Sequence, residues 1–166
     1  MTSMTVSNSE MLALARKLPI PVPWDRDAFV ENLARQRGRP IRLIPSDTSA
    51  FTESPCGLWL TRDEDDIIFH EAGTSDYHID QIVCHEIGHM LLGHGRGRTV
   101  DQAPNLALCR QLMPDIDPAT IYSVLGRRDF VADQERDAER FAHILMLAAA
   151  DAAAEKSMMS SMFFRR

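Results

Sequence analysis

The chain has 166 residues, 45% of them hydrophobic and 25% charged, with a formal net charge of −6. That length and balance suit one soluble globular domain with its own core. The acidic excess argues against nonspecific nucleic-acid binding, which rewards clustered Lys and Arg, and the short basic run "GRGR" at 95–98 reads as a solvated loop.

The amino-terminal stretch has no basic leader followed by a long apolar run, so no signal peptide is expected. Nothing approaches the roughly 18 apolar residues needed to span a membrane. Residues 9–18 have helical spacing, with Leu12, Ala15 and Leu18 on one face, and three prolines within 19–23 break that helix. Residues 25–38 read as a second amphipathic helix. Asp25 or Asp27 caps it, Phe29, Leu33 and Ala34 face inward, and Gly38 ends it. Strand candidates follow at 41–45, 56–62 and 66–71, with 63–65 as a hairpin turn. The last of them, "DIIFHE", is the expected sheet edge for pairing with an extended peptide.

A long helix then starts at cap residues in 74–76. Ile79, Ile82, Val83, Ile87, Met90 and Leu91 recur at helical spacing, and Gly93 and Gly95 signal its end. Prolines at 104, 114 and 118 divide residues 103–125 into short helical pieces. Residues 129–156 form one long C-terminal helix, and "SMMSSMFFRR" has no regular period; its methionines are expected to pack on the domain. The expected fold class is α+β, with N-terminal helices, a small mostly antiparallel sheet and two long later helices. A single domain over 1–166 is expected, with 1–8 and 157–166 as flexible tails. Cys56, Cys84 and Cys109 form neither a metal knuckle nor a disulfide framework, so buried thiols in a reducing cytoplasm are expected.

The chemistry concentrates in "IVCHEIGHMLLGHG", residues 82–95. His85, Glu86 and His89 make H-E-x-x-H. On a helix, residues four apart share a face, so both imidazoles can bind one Zn²⁺. Glu86 can act as general base toward water. Unpaired His and Glu would be costly in so apolar a run, which favours a metal over satisfied core histidines.

A catalytic zinc usually takes a third protein ligand. His94 follows His89 by five residues, one short of the H-E-x-x-H-x-x-G-x-x-H spacing. A continuing helix would turn it partly away, and a partly charged histidine suits a helix C-terminus. In the C-terminal helix, Ala138, Phe141, Ala142 and Leu145 define an inward face. Glu135 lies nearest that face among Asp133, Glu135, Asp137 and Glu139, and is the favoured third ligand. Glu139, one turn on, is the candidate acceptor for a ligand histidine's free N–H. His78 is assigned to capping or solvent and Cys84 to the core; His143 is open between an oxyanion-stabilising and a surface role, and Tyr77 and Tyr122 are both open candidates for an oxyanion donor.

"HEIGHMLLGH" followed by "ERDAERFAHILM" resembles the ImmA/IrrE family of small zinc metallopeptidases, over roughly residues 10–147. The resemblance implies a minimal gluzincin-like fold, His85, His89 and Glu135 as zinc ligands and Glu86 as catalytic base. It also implies a cytoplasmic role in bacteria or their mobile elements, often cleavage of a helix-turn-helix repressor. Asp137 stands where the family often has Glu, and Glu139 where it often has Asn. The long interval between His89 and Glu135 marks 99–128 as an insertion that shapes the cleft.

The expected activity is therefore a zinc-dependent endopeptidase acting on a regulatory protein. A non-catalytic zinc-binding module that works by protein–protein contact is the alternative, and direct DNA binding is disfavoured by charge.

Overall fold

The computed structural model describes residues 5–47, 57–95, 103–126 and 129–163. Helix α1 (Asn8–Arg16) starts at a capping box, in which Ser7 and Glu10 satisfy each other's backbone N–H. Helix α2 (Arg26–Arg37) is capped by the Asp25 carboxylate and ends at Gly38, whose φ of 68° a glycine adopts without steric cost. Three strands follow, β1 (Ile41–Ser46), β2 (Gly57–Arg62) and β3 (Asp66–Glu71), then helix α3 (Asp76–Leu91). Helix α4 (Ala103–Leu112), a short 3-10 turn at Pro118–Thr120, strand β4 (Ile121–Leu125) and helix α5 (Ala132–Phe163) complete the order.

The strands form one mixed sheet in the order β1-β3-β2-β4. β1 runs parallel to β3, and the other two pairings are antiparallel. The class is α+β, with five helices, a small four-stranded sheet and a long C-terminal helix. Strand β3 corrects an expectation: "DIIFHE" lies between β1 and β2, so it is interior, and the edges are β1 and β4.

β2 and β3 are apolar on both faces because both faces are covered. Trp59 and Ile68 join the cluster made with α1, α2, α3 and α5, whereas Leu58, Leu60, Ile67 and Phe69 pack with Cys109, Ile116 and Val124. Asp66, at the start of β3, is buried but fully engaged. It accepts from Arg39 Nε at 2.9 Å, Arg37 Nη1 at 3.3 Å and Trp59 Nε1 at 3.1 Å.

Residues 121–125 are a strand rather than a helical piece. Ile121, Tyr122 and Val124 favour a pleated backbone, and the partner β2 lies about sixty positions upstream, with Leu60 opposite Val124. The stretch expected as an insertion therefore supplies a strand of the main sheet.

Val6 N–H donates to Asp137 Oδ2 at 3.3 Å, and Arg140 bonds the Val6 carbonyl and Asn8, so residues 6–8 are tied to α5. Helix α5 continues unbroken through 157–163. It buries Ala138, Phe141, Ala142, Leu145 and Ala149, but Met158, Met159, Met162 and Phe163 near its end are exposed rather than packed on the domain. Among the described residues, no helix is long and apolar enough to cross a membrane.

Candidate metal centre

Helix α3 is the base of the site. Ser75 caps it by accepting from His78 N–H, and its inward face carries Ile79, Ile82, Val83, Ile87 and Met90. His85 and His89, one turn apart, emerge on the side facing α5. Gly88 is what lets the two helices close. A Cβ there would lie 3.2 Å from both the Ala138 carbonyl oxygen and Phe141 Cδ1, so a side chain would require α5 to give by a few tenths of an ångström. The close approach sets the Glu135 carboxylate beside both imidazoles.

Three side chains converge. His85 Nε2 is 3.2 Å from Glu135 Oε2, His89 Nε2 is 3.0 Å from Glu135 Oε1, and the two Nε2 atoms are 3.1 Å apart. Ligands bound tetrahedrally at 2.0–2.1 Å from one zinc sit about 3.3 Å from one another, so the three side chains stand close enough together to share one metal. Two nitrogens and one carboxylate oxygen are also a donor set zinc prefers. Among the described residues this is the group of His, Cys, Asp and Glu able to hold a metal.

Charge follows the geometry. Burial alone would raise Glu135, but hydrogen bonds to His85 and His89 outweigh it and hold the carboxyl at about 2. Burial would lower His85, yet its bond to Glu135 and the charges of Glu86, Glu135 and Glu139 raise it above the ordinary value. At His89 burial prevails over the bond to Glu135, and the pKa falls.

Glu86 lies beside the cluster, only 4% exposed. Its Oε2 is buried with no hydrogen-bond partner among the described residues. Burial, aided by the Glu135 charge and opposed by His85, pushes it up to about 7. A carboxylate without a partner at that depth is expensive unless the site later supplies one. Gly57 makes room for it: a Cβ at that position would lie 2.8 Å from Glu86 Oε1 and 2.9 Å from Ile82 Cγ2.

His94 differs most from expectation. It is buried, and burial, together with the neighbouring His89, pulls its pKa down to about 4, so it is neutral rather than a charged helix terminus. Helix α3 does not continue past it. Gly93 takes a φ of 71°, Gly93 N–H bonds Met90 O at 3.3 Å and His94 N–H bonds His89 O at 3.0 Å. This paired closure turns the chain back, placing His94 Nδ1 2.9 Å from His89 Nδ1. Because that nitrogen is on the far side of the His89 ring from Nε2, His94 stands outside the donor cluster. Phe130, just before α5, stacks on His89 with ring centroids 3.6 Å apart and planes 9° from parallel.

Glu139 is exposed and makes no hydrogen bond to a site histidine; the partner on His89 is His94. Asp137 is the more deeply buried acid of α5, but it faces the amino terminus, where Val6 and Arg140 engage it. His78 lies 3.4 Å from Glu71 at the start of α3, and His143, Tyr77 and Tyr122 are exposed. Cys84 is buried in the core, with a thiol pushed up to about 12 by burial, while Cys56 lies outside the described residues.

Comparison with family models, with curated proteins and with solved structures finds no match.

Proposed function

We propose that the chain is a zinc-dependent endopeptidase with a zincin-like domain, acting inside the cell on a regulatory protein. The observation that carries this is the convergence of His85, His89 and Glu135 at 3.0–3.2 Å with the buried, unpartnered Glu86 next to them. The two nitrogens and the carboxylate would hold the metal, which supplies Lewis acidity toward a peptide carbonyl and toward water. Glu86 takes a proton from the attacking water and returns it to the departing amine. Its raised proton affinity suits a group that must both accept and release a proton near neutral pH. Binding a metal alone has no need of that carboxylate, which weighs against a purely structural zinc module.

The motif pair that resembles the ImmA/IrrE metallopeptidases supports the same reading and points to a helix-turn-helix repressor as substrate. The experiment is co-incubation of the zinc-loaded protein with the product of a neighbouring repressor-like gene, followed by mass spectrometry of fragments. Discrete cleavage that Glu86→Gln abolishes, with zinc content unchanged, is the expected result. Cleavage at the wild-type rate by Glu86→Gln would exclude the mechanism.

A further inference from the structure

The inward half of the site accounts for His89 Nε2; its other ring nitrogen has a separate partner. His89 Nδ1 and His94 Nδ1 are 2.9 Å apart, a distance at which one must donate and the other accept. Two neutral rings can share their two protons in two ways. In one, His94 carries its proton on Nδ1 and donates, which leaves the His89 proton on Nε2, inside the cluster. In the other, His89 carries its proton on Nδ1 and donates, which puts the His94 proton on Nε2. Only the second leaves the His89 Nε2 lone pair available to a metal.

We propose that His94 is a positioning residue: when a metal takes the place of the His89 Nε2–H contact to Glu135, His94 accepts the His89 Nδ1–H and so holds His89 as the metal-binding tautomer, an inference that rests on the metal reading above. The local fold is arranged for this contact. Gly93 and Gly95, with φ of 71° and 79°, flank His94 and bend the chain end of α3 beneath His89. A Cβ at Gly95 would lie 2.6 Å from Leu125 Cδ1, so the turn is seated tightly against β4. Phe130 closes the face of the His89 ring, so its plane and its outer nitrogen are both fixed. The usual acceptor for a ligand histidine is a carboxylate, a backbone carbonyl or water. A neutral imidazole orients the ring equally well without adding negative charge behind it.

The test compares wild type with His94→Phe, which keeps a ring and loses the acceptor, and with His94→Asn, whose carbonyl oxygen stands where His94 Nδ1 was. Zinc affinity is measured by competition with a chromophoric chelator. In the zinc-loaded wild type, ¹⁵N NMR is used to look for a proton covalently bound to His89 Nδ1, with coupling across the hydrogen bond to His94 Nδ1. The expected result is that coupling, a loss of about 10–100-fold in zinc affinity for His94→Phe, and recovery to within a few-fold of wild type for His94→Asn. Wild-type affinity in His94→Phe, or no coupling between the two nitrogens in the wild type, would overturn the role of His94 while leaving the metal centre intact. Failure of the wild type to take up zinc would overturn both. Should His94→Phe not fold, the wild-type NMR measurement and His94→Asn decide the matter.

Discussion

In the metal-free protein, Glu86→Gln should gain stability relative to the wild type as pH rises from acid to alkaline. Folding moves the Glu86 carboxyl from its ordinary 4.5 to about 7. The folded state therefore binds the proton more tightly than the unfolded chain does. Between those two values the native protein holds a proton the unfolded chain has released, so stability falls as pH rises, and above about 7 the full penalty is present. At about 1.4 kcal/mol per tenfold change in proton affinity, that penalty is on the order of 3 kcal/mol. Glutamine does not ionise and escapes it. Its buried amide carries a desolvation cost of its own, about 1–3 kcal/mol, but that cost does not vary with pH. The informative quantity is therefore the change in the mutant-minus-wild-type difference, from urea unfolding of chelator-treated protein at pH 4.5 and pH 8. A gain for Glu86→Gln of roughly 3 kcal/mol between the two pH values is expected. A difference that stays flat would refute the claim that Glu86 is held as a buried, unpartnered carboxyl. Saturating zinc should abolish most of the gain, because a nearby cation favours the ionised carboxylate.

Gly57→Ala should displace Glu86, since the new methyl would sit 2.8 Å from its Oε1 and 2.9 Å from Ile82 Cγ2. A thermal melt should show a loss of about 1–3 kcal/mol; an unchanged protein would argue against this packing. Cys84, with its thiol pushed up to about 12 by burial, should resist iodoacetamide at pH 8 in the folded protein and react once it is unfolded, as read by peptide mapping. Rapid labelling of the native chain would contradict its place in the core.

Local signals made most of the fold legible. Asp25 and Gly38 mark the ends of α2, Ser75 caps α3, and β3 spans the same residues its apolar run suggested. What local pattern does not carry is pairing. Nothing in "IYSVL" announces that it joins β2 across some sixty residues, and nothing in "DIIFHE" says that two strands flank it. A run apolar on both faces was itself a hint that the strand is interior. The site shows the same division. His85 and His89 share a helix face by spacing alone, and Glu135 followed from the inward face of α5. The pattern places His94 at the end of α3 and outside the ligand set, but it does not show that His94 folds back onto His89 Nδ1. A glycine with left-handed backbone reverses the chain there, and the contact it creates depends on turn geometry rather than helical register. The glycines that admit Glu86 and α5, Gly57 and Gly88, carry no side-chain signal at all; only the neighbours a Cβ would strike reveal them.

The most direct measurement is a zinc titration of the wild type beside Glu135→Ala and Glu139→Ala, read by chelator competition and metal analysis. His85, His89 and Glu135 as one donor set predict roughly one zinc per chain in the wild type. Glu135→Ala should lose zinc affinity far more than Glu139→Ala, whose exposed carboxylate touches neither histidine. A wild-type protein that takes up no zinc, or a Glu135→Ala variant that binds it as tightly as the wild type, would contradict the assignment of this cluster as a metal centre.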